Sequence, residues 1–265
     1  MDKIKIKDEK ILLFGNPQGS YKSNDRIKSK FNRIAKIAIN YNDIYTKLRE
    51  FVINKKNSKN ENRRACAYAC LLMFECGIRV GNENSAEGYV TKIKAIEGQF
   101  IQTYGLTTLK PEHITFNNDK MFLDFLGKKA VHQSIEINDK FLIEWGQFFY
   151  EKNKEKETWL DISNYDITKF VKKYIGSKFV PKDFRTITAN RIATKLHEEI
   201  SERDKPQKKK EAKKELKEIV EKTAEFLGNT PGICKKAYID NRLLEFHYKQ
   251  RYGEDLNVKK KKRKN

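Results

Sequence analysis

The sequence predicts an α+β chain, a mostly helical body carrying one small antiparallel sheet of three to four strands. Two observations lead there. Over most of the 265 residues apolar side chains recur at spacings of three and four, as in Ala65, Tyr68, Ala69, Leu72 and Cys76, which is the period of one helix face. Only between residues 106 and 137 does the period shorten to brief runs separated by Asn, Asp and Gly turns. A content of 38% apolar residues with 16 Phe and 12 Tyr supplies a real core and excludes disorder throughout.

Taken in order, Lys10 to Phe14 reads as a short strand, Gly15 to Ser23 is turn-rich, and residues 25–54 are rich in helix formers with a break near Asn40. An amphipathic helix through residues 65–76 stops at Gly77 and leaves Arg79 just past its end. Leu106 to Leu109, Ile114 to Phe116, Met121 to Leu126 and Val131 to Ile137 read as strands, with turns at Asn117-Asn118-Asp119 and Gly127-Lys128-Lys129. Lys128 is thereby expected on a hairpin tip. Phe141 to Tyr150 predicts a helix, Ile167, Phe170, Val171 and Tyr174 a second, and Ile192, Leu196 and Ile200 a third that begins close to Arg185. Residues 201–215 are nearly devoid of apolar side chains and are expected as a charged linker or exposed turn. Ala212, Leu216, Ile219, Val220, Thr223 and Leu227 space a further helix that Gly228 stops, and Thr230 with Pro231 starts the next, placing Tyr238 about two turns in. The expected organisation is a short N-terminal segment over residues 1–40, a catalytic domain over 41–255 and a basic disordered tail over 256–265.

Charge identifies the class of partner. With 56 Lys and Arg against 36 Asp and Glu the formal charge is +20, so a polyanion is the natural counterpart. Cys66, Cys70, Cys76 and Cys234 show no paired CxxC spacing and read as buried thiols of a reducing compartment. His113, His132, His197 and His247 lack metal-ligand spacing, and no metal or cofactor is expected. The apolar run from Ala65 to Phe74 is shorter than the ~20 residues of a membrane span, and Met-Asp-Lys-Ile-Lys lacks the apolar region of a signal peptide. These features predict a soluble intracellular protein and leave its compartment open.

The residues that carry chemistry are spread along the chain. Arg79 lies in Gly-Ile-Arg-Val-Gly, Lys128 in Leu-Gly-Lys-Lys, Arg185 in Lys-Asp-Phe-Arg-Thr, and Tyr238 follows Lys-Lys-Ala, nine residues after Asn229 in Gly-Asn-Thr-Pro. A phosphodiester repels nucleophiles in its ground state and spreads charge over its equatorial oxygens in the transition state. A phenol flanked by preorganised cations lowers that barrier without metal or nucleotide.

With Gly-Leu-Thr-Thr-Leu-Lys at residues 105–110, these fragments in this order resemble the type IB DNA topoisomerases, particularly the short poxvirus and bacterial form, over roughly residues 25–250. The resemblance implies a catalytic domain fold shared with tyrosine recombinases, a transient 3′-phosphotyrosyl link to one strand of duplex DNA, and relaxation of supercoils by a monomer. It also assigns roles. Tyr238 matches the nucleophile, Arg79 and Arg185 the arginines that brace the nonbridging oxygens, and Lys128 the general acid for the departing 5′ oxygen. Lys182 matches a second contact to the same phosphate, and Lys129, Lys235 and Lys236 are expected to touch DNA. The family usually has histidine where this chain has Asn229, an amide that donates a hydrogen bond but carries no charge. Only 78 residues precede Arg79, so the β-rich N-terminal domain of the viral relatives is expected to be reduced or truncated. A tyrosine recombinase, a DNA-binding homologue without activity and a structural basic protein of a ribonucleoprotein particle stay open as alternatives. Lys182 in place of the recombinases' usual histidine favours the topoisomerase.

Overall fold

A 13-residue helix, α1 (Tyr41–Ile53), leads into α2 (Glu61–Cys76), which forms the centre of its unit. The Asn60 side chain caps α2 by accepting from the Arg63 amide at 3.2 Å, and Gly77 ends it in the left-handed conformation, φ 61°. Residues 64–74 of α2 are all buried, so it is a core helix and not the one-sided amphipathic helix the spacing predicts. The small side chains Ala65, Ala67 and Ala69 allow neighbours to approach on every side. The computed structural model describes residues 30–35, 38, 40–54, 60–90, 92, 96–117, 119–254 and 256. The expected strand at Lys10 to Phe14, the turn-rich stretch after it and the basic tail beyond 256 lie outside them. Of the described residues, Asn40–Thr188 form one unit and those before and after form another.

In the first unit α2 packs against α1, α4 (Lys140–Asn153) and α5 (Asn164–Tyr174), with α3 (Glu83–Glu87) a short turn between. Tyr68 anchors the packing: its hydroxyl donates to Leu142 O at 2.6 Å and its ring meets Trp159 edge-on at 5.8 Å. Arg64, also buried, donates Nε to Val52 O at 2.8 Å and lies 4.6 Å from the Trp145 ring. The sheet is β3 (Ile114–Asn117), β4 (Lys120–Gly127) and β5 (Val131–Ile137), antiparallel in that order. Met121, Leu123 and Phe125 of β4 turn inward on alternate positions, as the period-2 pattern requires. A separate ribbon pairs β1 (Tyr89–Val90) with β2 (Phe100–Ile101); its Val90 and Phe100 are exposed, so the sequence there has no alternation that predicts strands. Leu106 to Leu109, expected as a strand, instead forms a 3₁₀ turn over Leu106–Thr108, for a reason found in the site below.

The second unit contains residues 30–35 as helical turns, α6 (Pro181–Ser201) from Ala189 onward, α7 (Lys209–Phe226), α8 (Pro231–Ala237) and α9 (Asn241–Tyr252). Ile192, Leu196 and Ile200 of α6 form its core with Ile219, Ala224, Cys234, Tyr238, Ile239, Leu243 and Leu244. The polar stretch 201–215 divides. Residues 202–208 are the connection, whereas α7 starts at Lys209 because Glu211 accepts from the Gln207 and Lys208 amides at 2.9 and 3.0 Å and Ala212 is buried. Glu215 turns inward, accepting from Arg251 at 2.8 Å and pairing with His247 at 3.2 Å. His247 contacts His197 through their Nδ1 atoms at 2.7 Å. Burial, then the His197 neighbour, pushes His247 down to about 4, and burial lowers His197 as well.

All four cysteines are free and buried, as the spacing predicts, and burial pushes the Cys66 thiol up to about 12. Among the described residues no helix is long and apolar enough to cross a membrane, and no group of three His, Cys, Asp or Glu could hold a metal.

Candidate active site

In the first unit, Arg79 is carried on a short extended segment after Gly77. Its carbonyl accepts from the Leu106 amide at 2.8 Å, and Val80 O accepts from the Thr107 amide at 2.7 Å and the Thr107 hydroxyl at 2.8 Å. Those amides cannot serve a sheet ladder, so Leu106–Thr108 coils into its turn. The Thr108 hydroxyl closes the turn on Gly105 O at 3.1 Å. Two glycines permit the approach: a Cβ on Gly81, where φ is +109°, would lie 2.7 Å from Thr107 Oγ1, and a Cβ on Gly105 would lie 2.6 Å from the Gly81 backbone and 2.9 Å from Arg79 O. The Gly-Leu-Thr-Thr motif therefore buttresses Arg79, a task that its position in the sequence does not reveal.

The same block reaches Lys128. Tyr104 donates its amide to Leu126 O at 2.8 Å, next to the hairpin tip formed by Lys128, Lys129 and Ala130 between the paired Gly127 and Val131. Lys128 and Lys129 are both exposed, as a tip requires. Lys129 and Ala130 have φ of 66° and 57°, a left-handed pair without glycine that costs roughly 1–2 kcal/mol per residue and aims the tip in one direction. Across the strands below it, His132 Nε2 and Asp124 Oδ1 stand 2.7 Å apart.

Arg185 lies inside α6, which begins at Pro181 and so before the position expected. Asp183 accepts from the Val180 amide at 3.1 Å and closes the helix start. Lys182 is exposed, whereas Arg185 is only 4% exposed and donates Nη1 to Gly77 O, two residues before Arg79. Its backbone is pinned from both sides. Phe184 packs edge-on against Phe74 at 4.4 Å, and the Thr188 hydroxyl lies 2.9 Å from Phe74 O. Gly77 O, Arg79 O and Leu126 O thus link the chain at Arg185, Arg79 and Lys128 within one unit.

The second unit holds Asn229, Lys235, Lys236 and Tyr238. Gly228 (φ 56°) ends α7 in a Schellman motif: its amide donates to Glu225 O at 2.9 Å, and the Asn229 amide donates to Ala224 O at 2.8 Å. Thr230 then caps α8 by accepting from the Ile233 amide. Lys235 and Lys236 are exposed in its last turn. Tyr238 does not sit inside a continuing helix. It is the residue after α8, with φ −125° and ψ −38°, and is 7% exposed.

Two contacts on Tyr238 were not legible in the sequence. The fully buried Asn190 of α6 donates Nδ2 to Tyr238 O at 2.9 Å and accepts from the Asp240 amide at 2.8 Å, clamping the break between α8 and α9. Its one sequence signal is an amide among apolar neighbours on the face with Ile187 and Ala193. Lys30 donates to Ala237 O and its ammonium lies 5.6 Å from the Tyr238 ring centre. Asp240, two residues on, is engaged by Arg242 at 2.6 Å and caps α9.

Residues 20–264 match the family described as eukaryotic DNA topoisomerase I, catalytic core. DNA topoisomerase 1B of Acanthamoeba polyphaga mimivirus is 23% identical over 158 residues, covering 55% of this chain and 47% of that protein. DNA topoisomerase 1 of Rabbit fibroma virus (strain Kasza) is 25% identical over 221 residues, 79% of this chain and 62% of the relative. DNA topoisomerase 1B of Vaccinia virus (strain Copenhagen) is 27% identical over 155 residues, 54% and 45% respectively. The chain thus spans between 45% and 62% of the length of these viral relatives.

Proposed function

Because this chain belongs to the type IB DNA topoisomerase family, we propose that it relaxes supercoiled duplex DNA by cutting and rejoining one strand through Tyr238. The phenolic oxygen gives up its proton to solvent and attacks phosphorus, the new P–O bond joins the 3′ end of the strand to Tyr238, and the bond to the 5′ oxygen breaks. Lys128 gives that departing oxygen its proton. Arg79 and Arg185 hold the nonbridging oxygens as charge spreads over them, and Asn229 adds a neutral N–H donor. Lys182 makes a further contact to the phosphate, while Lys129, Lys235 and Lys236 neutralise flanking phosphates. One phosphodiester replaces another, so rejoining is the reverse of the same step and requires no nucleotide.

The observation that carries this reading is the backbone frame of the first unit, in which Gly77 O accepts from Arg185, Arg79 O from Leu106 and Leu126 O from Tyr104. A transition state with dispersed charge is stabilised by cations whose positions are set before the substrate arrives, and a frame that fixes the main chain at Arg79 and near Lys128 supports that reading. The Asn190 clamp supports the same reading on the side of the nucleophile.

The test is incubation with supercoiled plasmid in EDTA without nucleotide. The expected result is relaxation by the wild type as a monomer, a covalent adduct to the 3′ end of the cut strand, and loss of both in Tyr238→Phe. Recombination between two defined duplexes would point to a recombinase. A wild type that forms no adduct would overturn the reading.

A further inference from the structure

Resting on that reading, we propose that Lys30 is a further positioning residue for the cleavage step, holding the Tyr238 ring and the end of its helix in place for attack. Lys30 is half-buried in the same unit as Tyr238, on helical turns over residues 30–35. Its ammonium donates to Ala237 O, the last carbonyl of α8, and lies 5.6 Å from the centre of the Tyr238 ring and 5.1 Å from that of Phe31. Two physical effects act together there. A cation at the C-terminal end of a helix satisfies a carbonyl left without an intrahelical partner and complements the helix dipole. An ammonium within about 6 Å of an aromatic ring is attracted to its face.

Tyr238 needs such help because α8 is only seven residues long and stops immediately before it. Asn190 holds the Tyr238 carbonyl, which sets the main chain but not the ring. The nearby Asp240 carboxylate is occupied by the Arg242 guanidinium and by the start of α9. Lys30 thus joins the ring to the helix end, and it comes from a segment 207 residues away in the chain.

The experiment compares wild type, Lys30→Met and Lys30→Arg in single-turnover cleavage of a duplex carrying one cleavable strand, at enzyme concentrations that saturate binding. Noncovalent binding to the same duplex by Tyr238→Phe versions and the thermal midpoint are measured in parallel. Lys30→Met, which keeps the stem and loses the charge, is expected to cleave about tenfold more slowly with binding within threefold of the parent. Lys30→Arg, which keeps both the donor and the cation, should recover to within threefold of wild type. Unchanged cleavage at saturation with weaker binding would make Lys30 an ordinary DNA-affinity lysine and overturn the inference. So would an arginine variant that is folded and as slow as the methionine variant. If Lys30→Met does not fold, Lys30→Gln, which also removes the charge, takes its place with the same expected and refuting results. A wild type without any covalent adduct would instead remove the proposed function itself, a result distinguishable from either of these.

Discussion

Gly105→Ala tests the frame beneath Arg79 with one methyl group. An added Cβ would lie 2.6 Å from Gly81 Cα and N and 2.9 Å from Arg79 O. Ordinary carbon contacts begin near 3.5–4.0 Å, so the two chains must separate by about 1 Å. Both sides are backbone, and no flexible side chain can yield. The backbone of Gly105 itself (φ −153°) suits alanine, so the cost arises at the contact alone. Overpacking of this kind costs about 1–3 kcal/mol of stability. A displacement of about 1 Å at a catalytic group lowers a rate on the order of 10²-fold, close to 2.7 kcal/mol of barrier. Single-turnover cleavage by Gly105→Ala should therefore fall by about two orders of magnitude while duplex binding, dominated by phosphate contacts elsewhere, changes little. Gly232→Ala is the counterpart in α8, where a Cβ meets nothing within 4 Å. It should stabilise the fold by about 0.5–1 kcal/mol in urea unfolding. If Gly105→Ala cleaved within threefold of wild type with unchanged stability, the frame would not position Arg79.

The buried histidines predict an acid-sensitive fold. His247 is held at about 4, below the ~6.5 of an unfolded histidine, so its stabilisation is complete above about 6.5 and is lost as pH falls towards 4. The gap corresponds to about 3 kcal/mol, and urea midpoints at two pH values should drop less in His247→Gln than in wild type; equal drops would dismiss the site. Asn190→Ala removes partners from two buried backbone groups, Tyr238 O and the Asp240 amide, and should cost on the order of 2–5 kcal/mol together with slower cleavage. A variant within 0.5 kcal/mol (~ the scatter of ordinary surface changes) would show the clamp to be dispensable. Asn229→His supplies a donor able to carry charge and should speed cleavage by up to about tenfold, since charge-assisted hydrogen bonds are roughly twice as strong as neutral ones. An unchanged or slower rate would remove Asn229 from the site.

Local signals carried much of the fold. Gly77 and Gly228 take up left-handed conformations at helix ends, Thr230 and Pro231 open α8, and the alternation in β4 faces Met121, Leu123 and Phe125 inward. Each depends on neighbours within a few residues. Where distant chain intervenes, local composition is overridden. Leu106 to Leu109 has the composition of a strand, yet its amides are taken by Arg79 O and Val80 O. Glu215 has the sequence setting of a solvated linker, yet Arg251 and His247 of α9 draw it inward. The candidate residues themselves were legible as motifs, whereas Asn190 and Lys30, which support them, were not.

The amino-acid order by itself determined the helical body, the hairpin that presents Lys128, the strong positive charge and the motifs from which the proposed site is drawn. All of these follow from short-range periodicity, turn chemistry and charge. Tertiary structure alone decided how those residues are held: the Arg79 carbonyl by the Leu106 amide 27 residues later, the Arg185 guanidinium by a carbonyl 108 residues earlier, and the Tyr238 carbonyl by a side-chain amide 48 residues before it. The physical reason is that buried backbone groups must find partners, and in a folded chain the nearest partner in space need not be near in sequence.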